Sequence, residues 1–228
     1  QARAAGARSP VVNMTDDLFS EPVRRDDEML GPGALLLHGF ALAEQDVVLA
    51  AVNAVIEAAP LRHMITPGGF RMSVAITNCG HLGWVSDRRG YRYSELDPDT
   101  TQPWPAMPDA LLKLAQSAAT EAGYANFTPD ACLINRYVPG ARMTLHQDRN
   151  EKDFSHPIVS VSLGLPAVFQ LGGMQRSDKS LRVPLQHGDV LVWGGASRLR
   201  FHGVLPLKAG WHEVLGEQRI NLTFRCAG

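Results

Sequence analysis

Two histidines and one aspartate open a chemical reading of this sequence. His146-Gln147-Asp148 sets an imidazole and a carboxylate two residues apart, so in a strand or at its end both project to one side. His202, far downstream, supplies a second imidazole. Two imidazoles and one carboxylate on one face of a metal leave the opposite positions open, which suits a non-haem Fe(II) that must take a cosubstrate and oxygen. A His-x-Asp pair alone is as easily a turn or a surface pair. The chain in fact holds a second one, His187-Gly188-Asp189, whose central glycine and place between two apolar runs fit a tight hairpin turn. A ligand pair also needs a third ligand and a cosubstrate anchor further on. His146 and Asp148 with His202, then Arg219 and Arg225, supply that order; His187 and Asp189 fit it less well.

The anchor lies in Arg219-Ile220-Asn221-Leu222-Thr223-Phe224-Arg225. With period two, one face carries Ile220, Leu222 and Phe224, and the other Arg219, Asn221, Thr223 and Arg225. Taken alone, the segment also fits a half-buried edge strand with a solvated arginine face.

The elements that must position these groups can be read from the apolar periodicity. Val47, Val48, Ala51, Val52, Val55 and Ile56 recur at helical spacing, predicting a helix over Ala43–Ala59 that ends before Pro60. A second helix is predicted over Asp109–Ala122, between Pro108 and Gly123. Thr66–Pro108 between them is loop-rich, with one short strand expected at Arg71–Thr77; so long an irregular tract is usually a lid or binding loop. From Ala131 on, strands are expected at Ala131–Val138, Ile158–Leu163, Val168–Leu171, Leu181–Leu185, Asp189–Trp193 and Gln218–Phe224, separated by glycine-rich turns. The expected fold is mainly β with supporting helices: a double-sheet jelly roll, or double-stranded β-helix.

Composition sets the outer limits. The 228 residues are 45% hydrophobic and 20% charged, which excludes wholesale disorder, and no apolar run approaches the ~20 residues of a membrane span. Net charge is −1, so there is no global nucleic-acid signature. Arginine makes up 18 of the 22 basic residues, a mild bias toward two-pronged binding of anions. Cys79, Cys132 and Cys226 have no zinc spacing and read as thiols in a reducing compartment, so a cytoplasmic location is expected. Residues 1–30 read as a flexible leader, and 31–228 as one catalytic domain with a lid at about 60–108.

Leu133-Ile134-Asn135-Arg136-Tyr137, Pro139-Gly140, His146-Gln147-Asp148, the tract Pro157 to Gly164 and the strand Arg219 to Arg225 together closely resemble the AlkB family. The likeness extends upstream to Met64-Ile65-Thr66-Pro67-Gly68-Gly69 and Asn78-Cys79-Gly80-His81-Leu82-Gly83-Trp84, and covers roughly residues 60–227. It implies an iron- and 2-oxoglutarate-dependent dioxygenase that repairs alkylated nucleic acids. By this resemblance His146, Asp148 and His202 would ligate Fe(II). Arg219 would pair with the C5 carboxylate of 2-oxoglutarate and Arg225 would contact its metal-chelating end, while Asn135, Tyr137 and Asn221 complete the pocket. Each two-pronged pair would contribute ~1.5–3 kcal/mol. The implied reaction couples O2 and the decarboxylation of 2-oxoglutarate to hydroxylation of an N-methyl carbon, with loss of formaldehyde.

On the substrate side, the target base must be flipped out or already single-stranded. The resemblance makes Trp84 its stacking platform, opposite His146, with Tyr91 on the backbone phosphate and Thr66 in the lid. Arg176 is one of several candidate phosphate contacts, and Trp104, Trp193 and Trp211 read as packing residues. The expected partner is DNA, with RNA as a second candidate, and the protein is expected to act as a monomer. The alternative is a hydroxylase of a protein or small molecule on the same metal core. One position departs from the family pattern. Two residues past the metal carboxylate, where an acid is common, stands Asn150. Asparagine keeps hydrogen bonding but loses charge attraction for cationic lesions, which predicts a weaker preference for them.

Overall fold

The computed structural model describes residues 26–228. In chain order the strands are β1 (Glu28–Gly31), β2 (Ala34–Leu37), β3 (Ala75–Gly80), β4 (Gly83–Asp87), β5 (Gly90–Ser94), β6 (Ala131–Tyr137), β7 (Met143–His146), β8 (Ile158–Gly164), β9 (Ala167–Leu171), β10 (Leu181–Leu185), β11 (Val190–Trp193), β12 (His202–Val204) and β13 (Arg219–Arg225). The helices are α1 (Gln45–Ala58) and α2 (Asp109–Glu121). Seven strands form one sheet in the order β1-β2-β11-β8-β13-β6-β3, four form a second in the order β10-β9-β12-β7, and β4 and β5 stand apart as a hairpin. The two main sheets make the jelly-roll core.

Alternation along the large sheet creates two apolar layers. Outward residues such as Val159, Val161, Ile220, Leu222 and Phe224 pack with α1 residues Val48 and Val52 and α2 residues Leu111 and Leu114. Burial of each large aliphatic or phenyl side chain here stabilises by about 1.5–3 kcal/mol. Inward residues such as Leu36, Leu191 and Trp193 meet Phe169, Leu171 and Val204 from the small sheet. The helices thus cover one face of the large sheet, and the small sheet covers the other.

That arrangement overturns one sequence reading. β13 lies between β8 and β6 in mid-sheet, and all seven of its residues are buried. Its arginine face is therefore not a solvated edge: it lines the space between the sheets.

Other elements shift for local reasons. A 3-10 turn at Leu42–Glu44 occupies the predicted start of the first helix, so α1 begins at Gln45. Arg71 and Met72 pair back onto Ile65 and Met64, so the strand expected at Arg71–Thr77 runs instead from Ala75. Residues 1–25 of the expected leader lie outside the described residues, whereas Glu28–Gly31 is already paired with β2. Trp104 and Trp193 are buried, but Trp211, read as a packing residue, is 76% exposed. Among the described residues no helix is long and apolar enough to cross a membrane.

Candidate active site

The small sheet brings the two distant histidines together. His146 closes β7, His202 opens β12, and the two are direct cross-strand partners. The strands approach so closely that a Cβ on Gly203 would lie 2.7 Å from the Met143 carbonyl oxygen, which explains the glycine after His202. Each imidazole donates its Nδ1–H to a backbone carbonyl two residues earlier, His146 to Thr144 at 2.9 Å and His202 to Arg200 at 3.0 Å. Those bonds fix the tautomer and leave both Nε2 lone pairs free. Both Nε2 atoms face the Asp148 carboxylate, each 3.6 Å from one of its oxygens. One ligand atom from each of the three residues falls within 4.8 Å of the others, a cluster that could hold a metal ion.

Electrostatics prepare the same set. Burial and the neighbouring His202 lower the pKa of His146 to about 4, so its imidazole is neutral near pH 7 and able to ligate. Burial would raise Asp148, but Arg225 and then His202 outweigh it and hold the carboxyl well below its usual range. Arg225 donates Nε–H and Nη2–H to Asp148 Oδ2 at 3.0 and 2.6 Å. Burial opposes the charge on Arg225, yet Asp148, Tyr93 and Glu151 raise its pKa above the ordinary arginine value.

The inward face of β13 forms a polar cradle beside this cluster. Arg219 is fully buried, with Nη2 donating to the Ser162 hydroxyl at 3.0 Å and its guanidinium 5.0 Å from the Tyr137 ring centroid. Its Nε and Nη1, and Nη1 of Arg225, have no hydrogen-bond partner. Among the described residues no carboxylate pairs with Arg219. A buried guanidinium with two unsatisfied donors calls for an anion with two acceptors. Asn135 donates to Asn221 Oδ1 at 3.2 Å, and Asn221 donates in turn to the Ser160 hydroxyl at 2.8 Å. The donor set of two nitrogens and a carboxylate, with unpaired guanidinium N–H donors beside it, fits Fe(II) and a dicarboxylate such as 2-oxoglutarate.

The β4–β5 hairpin forms the outer wall. Asn78 of β3 clasps Trp84 of β4, accepting from its N–H at 3.0 Å and donating to its carbonyl at 3.1 Å. Gly83 is required beside it, because a Cβ there would lie 2.3 Å from the Trp104 ring. Trp84 stacks on Tyr91, with ring centroids 5.6 Å apart and planes 13° from parallel. Trp84 Nε1–H donates to Asn150 Oδ1 at 3.2 Å. Thr66 lies in a turn in which its Oγ1 accepts from the Phe70 N–H, and Arg176 lies over the Phe201 ring. A single cavity of about 730 Å³ touches the histidine–aspartate cluster, the arginine cradle, Trp84, Tyr91, Thr66 and Arg176.

Every site residue named from the sequence therefore borders one cavity. The sequence reading missed Ser160 and Ser162, which complete the cradle, and Tyr93, Glu151 and Arg198, which surround Arg225 and Asp148. Serines at alternate positions of an otherwise apolar strand were an available signal for the first two. Nothing local marks the other three, because their roles depend on contacts across the fold.

A double-sheet fold with a histidine–aspartate cluster between its sheets that could hold a metal ion is that of an Fe(II)-dependent oxygenase. The sequence pattern of the 2OG-Fe(II) oxygenase superfamily matches residues 33–225. The chain is 56% identical over 212 residues to the alpha-ketoglutarate-dependent dioxygenase AlkB of Escherichia coli, covering 93% of this chain and 98% of that protein. A more distant relative, the DNA N(6)-methyladenine demethylase ALKBH1A of Arabidopsis thaliana, is 35% identical over 131 residues, 57% of this chain and 38% of its own. The solved structure of OsALKBH1 superposes with a TM-score of 0.76 at 28% identity, covering 88% of this chain and 99% of that one. The chain belongs to the AlkB family of 2OG-Fe(II) oxygenases.

Proposed function

We infer that this protein removes N-methyl groups from nucleic-acid bases by oxidative demethylation, with DNA as the expected substrate and RNA as the second candidate. The observation that carries the reading is the continuity of one cavity from the metal cluster and arginine cradle to a stacked aromatic pair, partly buried Trp84 and exposed Tyr91. His146 Nε2, His202 Nε2 and Asp148 would hold Fe(II), Arg219 the distal carboxylate of 2-oxoglutarate, and Arg225 its chelating end. Asn135, Tyr137 and Asn221 shape the wall of that pocket. With O2, iron and 2-oxoglutarate held there would supply the oxidising chemistry, giving succinate, CO2 and a hydroxylated N-methyl carbon that departs as formaldehyde.

The chain's own task is then recognition and placement. Trp84 offers a stacking face, worth ~1–3 kcal/mol per base, to a nucleotide that is single-stranded or flipped out. Tyr91, Thr66 and Arg176 border the same cavity, where a sugar–phosphate backbone would pass. One chain supplies all of these groups, which supports a monomeric enzyme, and three free thiols support a reducing, cytoplasmic setting.

Mass spectrometry of methylated oligonucleotides incubated with Fe(II), 2-oxoglutarate and oxygen tests the reading. Loss of the methyl mass, dependent on both additions, is the expected result. Turnover of 2-oxoglutarate with no change in any oligonucleotide, together with unaltered oligonucleotide binding by Trp84→Ala, would point instead to a protein or small-molecule substrate.

Asn150 tunes lesion choice within this reading. Its amide accepts from Trp84 and brings no negative charge to the pocket. Cationic 1-methyladenine and 3-methylcytosine therefore gain no attraction from this position, and neutral adducts compete better. Asn150→Asp should raise the activity ratio of cationic over neutral lesions by about tenfold, the worth of one charge-assisted contact. An unchanged ratio defeats this assignment.

A further inference from the structure

A buried ionic network joins the β4–β5 hairpin to the metal carboxylate. Glu151, whose side chain is only 2% exposed, accepts from the Tyr93 hydroxyl at 2.7 Å and lies 3.4 Å from Arg225 Nε. Arg225 in turn grips Asp148 Oδ2. On the other side, Arg198 Nη2 stands 3.3 Å from Glu151 Oε2, within ion-pair range but without hydrogen-bond alignment. Arg198 also donates Nη1–H to the Asp148 carbonyl at 3.2 Å and Nε–H to the His156 carbonyl at 3.1 Å.

The sequence positions make this network directional. Tyr93 of β5 is the direct cross-strand partner of Trp84, so both project to the same face of the hairpin. Asn150 takes the Trp84 indole N–H, and its neighbour Glu151 takes the Tyr93 hydroxyl. The four residues Asp148 to Glu151 thus hold the hairpin at one end and the metal cluster at the other. Two buried guanidinium groups face two buried carboxylates, and Asp148 is the one a metal would also use. Among the described residues, Glu151 is then the carboxylate left wholly to Arg225 and Arg198.

The geometry points to Glu151 as a positioning residue that, through Tyr93, registers the base-stacking hairpin against the metal and the second cosubstrate arginine. This rests on the demethylase reading and extends it. The network should keep cosubstrate consumption in step with attack on the bound base, since a displaced hairpin leaves the alkyl carbon out of reach.

Two substitutions separate tether from charge. Tyr93→Phe removes one hydroxyl and leaves every charge in place. It should raise the oligonucleotide KM about tenfold and lower the fraction of 2-oxoglutarate turnovers that demethylate, with the 2-oxoglutarate KM moving less than twofold. Glu151→Gln keeps an acceptor for Tyr93 but removes the charge, and should raise the 2-oxoglutarate KM about tenfold. Hydrogen exchange of the metal-free protein gives a readout independent of catalysis: amides across Gly83–Ser94 should exchange faster in Tyr93→Phe and less so in Glu151→Gln.

Unchanged exchange in Tyr93→Phe overturns the inference, as does a Tyr93→Phe enzyme with both KM values raised together and full coupling. Wild-type protein that demethylates nothing overturns the functional reading alone, and the exchange result still decides the tether.

Discussion

The molecule holds two His-x-Asp sequences, each beside another histidine, and among the described residues only the first leaves its ligand atoms open toward one another. In His187-Gly188-Asp189 the lone pairs and donors are already used. His187 Nδ1 accepts from the Gly164 N–H at 2.8 Å, and its Nε2 bonds Gln45 at 2.7 Å. Asp189 takes the Gly39 N–H on one oxygen at 2.9 Å and the Gln186 N–H on the other at 2.7 Å. The neighbouring His212, with its ring 4.3 Å from that of His187, accepts from two backbone amides of its own loop. Gly188 turns the chain at φ +85°, in the left-handed region where glycine is favoured. This is not the hairpin expected from the sequence: β10 and β11 belong to different sheets, and the turn that joins them is held by its own side chains. In His146-Gln147-Asp148 the backbone takes only the Nδ1–H groups, so two Nε2 lone pairs and a carboxylate stay open toward one another. The residue types are the same, and the destination of their hydrogen bonds decides which set is chemical.

Matched substitutions test that contrast most severely. His202→Ala should abolish metal-dependent 2-oxoglutarate turnover, a fall of roughly 10³-fold or more, while His187→Ala leaves Fe(II) affinity intact by calorimetry. Loss of metal in both variants would erase the distinction. A smaller effect is expected at Arg219→Lys, which keeps the charge but loses the planar fork: the 2-oxoglutarate KM should rise about 10- to 100-fold in steady-state assays. A KM near wild type would remove Arg219 from the cradle.

The His187–Asp189 turn is the structural side of the comparison, so its damage should appear in stability. Asp189→Asn leaves one buried amide poorly matched and should cost about 2 kcal/mol in denaturant unfolding, with turnover per folded molecule retained. A loss of turnover at full stability would give this turn a chemical role. The gentlest test is titration. The pKa of His146 is lowered from 6.5 to about 4 by burial and His202, so its contribution to stability is complete above pH 6.5 and is lost as pH falls toward 4. NMR of the imidazole in the metal-free protein should show no protonation of His146 near pH 6.5. His187 is lowered too, by burial and then His212, so both rings should titrate late. A midpoint near 6.5 for His146 would mean that water reaches its ring and that burial does not set its titration.

Some of this was legible before any coordinates. Apart from β7 and β12, the strands from residue 131 onward and both helices followed from apolar periodicity, which local sequence carries directly. The polar alternation of Arg219, Asn221, Thr223 and Arg225 was equally plain, but its surroundings were not. An inward polar face and a solvated edge share one pattern, and only pairing with β6 and β8 tells them apart. β7 and β12 went unseen because three or four residues give too little periodicity, although they carry both candidate imidazole ligands.

Sequence by itself therefore determined the chemical inventory and its order: two imidazoles, a carboxylate and two arginines on alternating strand positions, with Trp84 upstream. Those are properties of residue type and spacing, which folding does not alter. Tertiary structure alone decided which His-x-Asp pair stays open, that the arginine face is buried, and that Tyr93 reaches Glu151. Each of these depends on contacts between segments distant in the chain, where burial and hydrogen-bond supply are set by neighbours that no local window contains.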